Sequence, residues 1–178
     1  AASDVYKRQG SNYTLSVTAG AVDTYEWFKV GTATSLGSSS SLTLTNLTAT
    51  NAGSYFVKLN PLTGCAAGKN SDTVRIGVDA PIAFTTNLSA TTQNFCVGQN
   101  MSLSVAVSGT GPFTYSWKEG TTNVGTSQNS YAKTTTAGAF TYNVQVASAS
   151  GACPSVTSNT ANVQVNNAPS NVTISGFN

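Results

Sequence analysis

Apolar side chains recur at every second position through most of this chain. Tyr13, Leu15 and Val17 point one way in one stretch, and Met101, Leu103, Val105 and Val107 do so in another, followed by Phe113, Tyr115 and Trp117. Tyr55, Val57 and Leu59 find counterparts in Phe140, Tyr142, Val144 and Val146. Period two marks a strand with one face buried, because successive side chains on an extended backbone project to opposite sides. Turns rich in Gly, Asn and Ser interrupt these runs at short intervals, and no stretch sustains a helical period. The chain reads as all-β.

The same succession of landmarks occurs twice. Gly10-Ser11-Asn12-Tyr13-Thr14-Leu15-Ser16-Val17 resembles Gly98-Gln99-Asn100-Met101-Ser102-Leu103-Ser104-Val105, and Thr24-Tyr25-Glu26-Trp27 resembles Thr114-Tyr115-Ser116-Trp117. Ala52-Gly53-Ser54-Tyr55 answers Ala137-Gly138-Ala139-Phe140, Gly64-Cys65 answers Ala152-Cys153, and Ala80-Pro81 returns as Ala168-Pro169. A repeat of this length implies two β units, residues 10–79 and 80–166. Residues 167–178 then form a linker and the first strand of a third. A unit of this size buries roughly 60–65% of its unfolded surface, enough for a small core of its own.

Composition narrows the function. Of 178 residues, 39% are hydrophobic and only 8% charged, against about 25% charged in an ordinary globular chain. Solubility rests on Ser, Thr, Asn and Gln. The net charge of +2 owes half its excess to Lys7 and Arg8 against Asp4; beyond them six basic residues face five acidic ones. No basic stripe remains that could neutralise several phosphates, which argues against nucleic acid as a partner. No apolar run reaches the ~18 residues of a membrane helix, so membrane insertion is not expected in this stretch.

Certain residues resemble those of immunoglobulin domains. The run from Ser41 to Tyr55 is similar to the segment joining strands E and F in that family, with Asn51 where an acid is usual. The resemblance implies that the Tyr55 hydroxyl bonds back to the backbone at the corner. Phe140, at the matching place in the second unit, has no hydroxyl to do so. Trp27 and Trp117 match the family's buried strand-C tryptophan, so Trp27, Trp117 and Tyr55 become the expected core anchors. The family's inter-sheet cysteines are absent. A narrower resemblance, over about 155 residues, is to bacterial immunoglobulin-like and PKD-like repeats, carried by Cys96-Val97-Gly98 and Gly151-Ala152-Cys153. Such repeats occur in large secreted or surface adhesins and exported enzymes, often passed out by the type IX route.

That resemblance implies a disulfide between Cys96 and Cys153. One objection stands: in an immunoglobulin sandwich the chain before strand B and the turn after strand F lie at opposite ends, and bridged cysteines need Cα atoms within about 7 Å. Free thiols, or bridges between neighbouring units, remain alternatives. Cys65 is left without a partner, because the position matching Cys96 is Arg8. The run from Asp4 to Gln9 resembles translated adaptor sequence, so residues 1–9 are expected to be a non-native or disordered leader. The first unit would then lack its opening strand and be the less stable.

Candidate chemistry is sparse. With no histidine, a Ser-His-Asp relay and a histidine metal site are excluded. The six acids, Asp4, Asp23, Glu26, Asp72, Asp79 and Glu119, are scattered, and Asp79 reads as solvated or capping a turn. Ser130-Tyr131-Ala132-Lys133 has the spacing of serine–lysine acyl-transfer enzymes but lies in a β segment without companion motifs. The five Asn-x-Ser/Thr sequons, starting at Asn12, Asn46, Asn87, Asn100 and Asn171, reflect composition. No cofactor and no enzymatic activity are expected. The expected function is a non-catalytic structural or adhesive repeat array at a bacterial cell surface or outside the cell, a semi-rigid spacer or stalk whose partners are neighbouring repeats. The alternatives are a module binding surface glycan or protein through loops 31–40 and 120–130, or an accessory to an exported hydrolase.

Overall fold

In the computed structural model, residues 4–19, 24–60 and 68–169 are described. Cys65 and the expected opening strand of a third unit, residues 170–178, lie outside them. The chain divides into one unit comprising Ala1–Pro81 with Ser150–Cys153 and another comprising Ile82–Ala149 with Pro154–Asn178.

In the first unit the strands are β1 (Asp4–Arg8), β2 (Tyr13–Ser16), β3 (Thr24–Lys29), β4 (Ser41–Leu44), β5 (Gly53–Asn60), β6 (Lys69–Asn70) and β7 (Val74–Asp79). One sheet runs β1-β7-β5-β3, with β6 also on β5, and the other pairs β2 with β4. Alternation supplies the core: Leu15 and Leu42 from the small sheet meet Trp27, Tyr55, Val57 and Ile76 from the large one.

The second unit contains β8 (Ala83–Thr86), β9 (Gln93–Cys96), β10 (Asn100–Ser104), β11 (Ala106–Ser108), β12 (Phe113–Glu119), β13 (Thr122–Thr126), β14 (Ser130–Thr134), β15 (Gly138–Ser148), β16 (Val156–Thr157) and β17 (Ala161–Asn166). Its large sheet runs β13-β12-β15-β17-β9, β10 pairs with β14, and β8 pairs with β11. Neighbours are antiparallel except β1 on β7 and β9 on β17, which are parallel.

Two expectations change here. Asp4–Arg8 is not a loose leader: it is strand β1, in register with Arg75–Asp79, so the first unit has an opening strand. Val5 and Lys7 face inward, Lys7 lies over the Tyr13 ring at 4.3 Å, and Tyr6 seats its ring where a side chain on Gly77 would stand. A lysine that buries its stem beneath a wet head group hides the alternation from a reading of residue types. The second correction concerns register. Trp27 pairs with Val57 and Trp117 with Val144, while Tyr55 pairs with Val74 and Tyr142 with Ala161. The counterpart of Tyr55 is therefore Tyr142, not Phe140. A slip of two residues leaves every side chain on its own face, so alternation cannot expose it.

Backbone brackets recur in both units. The Ser11 amide bonds to the Arg8 carbonyl and the Gln99 amide to that of Cys96, with Gly10 and Gly98 at φ +82° and +84°, the positive φ that a type II turn needs at its third residue. Gly10 and Gly98 then donate to the carbonyls of Leu47 and Thr135, whose amides return to Ser11 and Gln99.

Candidate functional site

The two corner tyrosines occupy equivalent places and do different things. The Tyr55 hydroxyl donates to the Asn51 carbonyl at 2.7 Å, closing the corner after a short 3₁₀ turn, Ala49–Asn51. Tyr142 instead donates to the Glu119 carboxylate at 2.9 Å, and Lys133 donates to the same oxygen at 2.8 Å. The cross-strand neighbour decides which bond forms. Opposite Tyr55 stands Lys29, whose ammonium reaches the Thr50 carbonyl; opposite Tyr142 stands Glu119.

Glu119 is the hub of this cluster. The Lys133 hydrogen bond holds its carboxyl below the usual carboxylate range against the opposing effect of burial. Glu119 in turn raises the Lys133 ammonium, while burial first and then Glu119 push the Tyr142 phenol well above its ordinary value. Those directions describe a satisfied ion pair, with the base locked ionised and the acids locked protonated. Ser130 and Lys133 are three apart on a strand and point to opposite faces, so the Ser-x-x-Lys spacing assembles no nucleophile.

Trp27 and Trp117 are 4% and 1% exposed. Their indole N–H groups donate to the carbonyls of Ser39 at 2.8 Å and Gln128 at 2.9 Å. These bonds tie down both stretches expected to be binding loops. In the first, the Leu36 amide bonds to Trp27 and the Trp27 amide to Gly37. In the second, Thr122–Thr126 forms β13 along β12. Neither is a free loop, because each runs back beside the tryptophan strand.

The implied disulfide is absent: Cys96 and Cys153 are free thiols. Cys96 pairs with Asn166, next to Val165, which pairs with Gly138 at the start of β15. Cys153 follows the other end of that 11-residue strand, whose ends are about 35 Å apart at roughly 3.4 Å per residue. The Cys96 amide bonds to the Gln99 side chain, and the Cys96 carbonyl accepts from the buried Thr135 hydroxyl. The Cys153 sulfur is buried, 3.5 Å from the Ala80 carbonyl, and burial, then the Asp79 carboxylate, raises its pKa. Asp79 itself is not solvated. It is buried and accepts from the Ser150 hydroxyl.

Sequence reasoning missed a serine pair. The Val57 and Val144 amides donate to the Ser71 and Ser158 hydroxyls, and those serines' own amides return to the Val57 and Val144 carbonyls. Ser71-Asp72-Thr73 and Ser158-Asn159-Thr160 sit at an offset of 87 residues, a signal hidden because Ser and Thr are common throughout. Also unforeseen is a stacked pair on the outer face of the first unit, Phe28 and Phe56, with ring centroids 5.5 Å apart. Lys118 and Asn143 pair at the equivalent place in the second. Among the described residues no three His, Cys, Asp or Glu side chains gather as a metal site.

No family model and no curated protein matches the sequence. Solved structures do. The chain is similar to a three-domain immunoglobulin fragment of titin, at 16% identity and TM-score 0.62, covering 93% of this chain and 63% of that one. It is similar to the N-terminal three domains of the highly immunogenic outer capsid protein of bacteriophage RB49, at 15% identity and TM-score 0.66, covering 93% and 68%. The four N-terminal immunoglobulin domains of a Dscam1 isoform match at 18% identity and TM-score 0.55, covering 93% and 44%. The chain thus spans less than two thirds of the titin fragment. These likenesses establish the fold: tandem immunoglobulin-like β-sandwiches.

Proposed function

We propose that the two units are non-catalytic structural or adhesive repeats of a secreted or cell-surface bacterial protein, acting as a spacer between other parts of the polypeptide. The observation that carries this reading is the identity of what recurs. The tryptophan-to-carbonyl bond, the serine bracket, the glycine turn and the parallel opening strand appear in both units. All four serve to hold the sandwich together, and polar groups that could do chemistry are spent on each other, as Glu119, Lys133 and Tyr142 are. Repetition of a scaffold without repetition of a site fits mechanical and spacing work.

Stretching single molecules of the full chain from end to end tests this. Two discrete unfolding steps, with silence on glycan arrays and in pull-downs, are expected. A specific ligand recovered in either assay would displace the spacer reading. The Phe28–Phe56 pair favours one second reading, a carbohydrate- or protein-binding face on the first unit, since stacked aromatics on an outer sheet face are unusual where the sister unit is polar. Phe28→Ser would then abolish the captured ligand. A role as accessory to an exported hydrolase would need that hydrolase in the same polypeptide.

A further inference from the structure

The outward residues of β3, β5, β7 and β1 form one surface, and the ladder fixes their places on it. Phe28 pairs with Phe56, Glu26 with Lys58 and Ser54 with Arg75, while Arg75 and Gly77 pair in turn with Asp4 and Tyr6. Val30, two residues beyond Phe28, shares its side of the sheet, and its amide bonds to the Ser54 carbonyl. Val30 is 54% exposed, Tyr6 47%, and Leu36, next to the Gly37 bridge at the β3 edge, 42%.

The second unit is polar at these places. Lys118, Asn143, Gly120 and Asn162 stand for Phe28, Phe56, Val30 and Arg75, and Ser116 and Gln145 for Glu26 and Lys58. A scaffold role alone requires no such difference, since the two cores are built alike.

Two ion pairs flank the aromatic centre diagonally. Glu26–Lys58, at 3.6 Å across β3 and β5, lies one row to one side of Phe56; Asp4–Arg75, at 3.5 Å across β1 and β7, lies one row to the other. With strands about 4.8 Å apart and rows about 6.8 Å apart, a second copy can be turned over about a diagonal axis close to Phe56. Glu26 of one copy then lies over Arg75 of the other and Lys58 over Asp4, to within about 3 Å in projection. Phe56 meets Phe56, and every contact is made twice, as a two-fold axis requires. The strands of the two copies cross near a right angle, one of the two ways in which sheets pack face to face.

We propose that this face is a homodimer interface, on which a second copy of the chain covers Phe28, Phe56 and Val30 while Glu26 of each copy pairs with Arg75 of the other. The inference rests on the second reading above, a binding face on the first unit, and names its partner. The face measures roughly 20 Å by 25 Å on the ladder spacings, so two copies bury about 1,000 Å² in total, the size of a weak and transient contact. Holding copies side by side strengthens such a contact without adding to it.

Sedimentation equilibrium of the full chain over about 0.01–1 mM reads the association. The expected result is a monomer–dimer equilibrium that Phe56→Ser weakens about tenfold or more, as does Arg75→Glu, which sets like charges against each other. The double variant Glu26→Arg with Arg75→Glu should recover the dimer. Within one copy that double reversal leaves both ion pairs like-charged, so recovery can come only from pairing between copies. A chain monomeric throughout, a dimer indifferent to Phe56→Ser, or a double variant no tighter than Arg75→Glu overturns the proposal. A monomeric chain that captures a glycan or another protein, and loses it with Phe28→Ser, overturns the dimer while sparing the binding face on which it rests.

Discussion

Tyr55 and Tyr142 show how one side chain at one position acquires its role from its neighbour across the ladder. Tyr55→Phe leaves the Asn51 carbonyl without its donor and should destabilise the first unit by about 1 kcal/mol, near the net value of a hydrogen bond, read as a lower denaturation midpoint with unchanged slope. In the second unit the effect is electrostatic. Glu119 ionises more readily folded than unfolded, so its contribution is present above the ordinary carboxylate value of 4.5 and fades as pH falls through the lower folded value. Lys133 is raised from 10.5, so its contribution is present below that value and lost as pH rises through the higher folded one. Glu119→Gln should flatten the acid limb of the second unit's stability profile while leaving the first unit's unchanged, which thermal unfolding between pH 3 and 7 would read out. The thiols separate by access: Cys96 should alkylate in the native protein and Cys153 only on unfolding, as mass spectrometry of iodoacetamide-treated chain would show.

At the scale of elements, β1 carries the clearest test. Its Tyr6 ring occupies the space over Gly77, where a Cβ would lie 2.6 Å from the ring. Gly77→Val should expel the ring and speed amide exchange in Asp4–Arg8 more than in β5. Most strands were legible in the sequence because their inward residues are large and apolar, as in Phe113–Glu119 and Gly138–Ser148. β1 was not, because its pattern depends on a lysine stem and on a glycine about seventy positions away. Of the two expected loops, Gly120–Ser130 contains strand β13, while Gly31–Ser40 lies in no strand and is held to Trp27 by an isolated bridge. Glycine and serine in Gly31–Ser40 and Gly120–Ser130 read as irregular chain, but an indole N–H needed a carbonyl in each, and a buried donor draws backbone toward it. The cysteine pairing rested on a resemblance, and the length of β15 defeats it.

Across the molecule, the repeat was visible as words in the sequence, yet only the ladders fixed the offsets, which run from 88 at Leu15 and Leu103 to 90 at the tryptophans and 87 at the serines. Loop differences between the landmarks absorb the drift. Where the units diverge, stability should diverge too. Leu88 is buried, so Leu88→Ala would leave a void in the second unit, costing about 2–5 kcal/mol as buried leucine truncations do. The measurement is the second unit's unfolding transition, expected to fall while the first unit's stays in place. The parallel strand that opens each unit has a last consequence. Without β1, the row of amides and carbonyls on the outer side of β7 would lie bare, a template for strands of other molecules. A chain shortened to begin at Gly10 should therefore self-associate at concentrations where the full chain stays monomeric, growing by edge-to-edge addition that light scattering would detect.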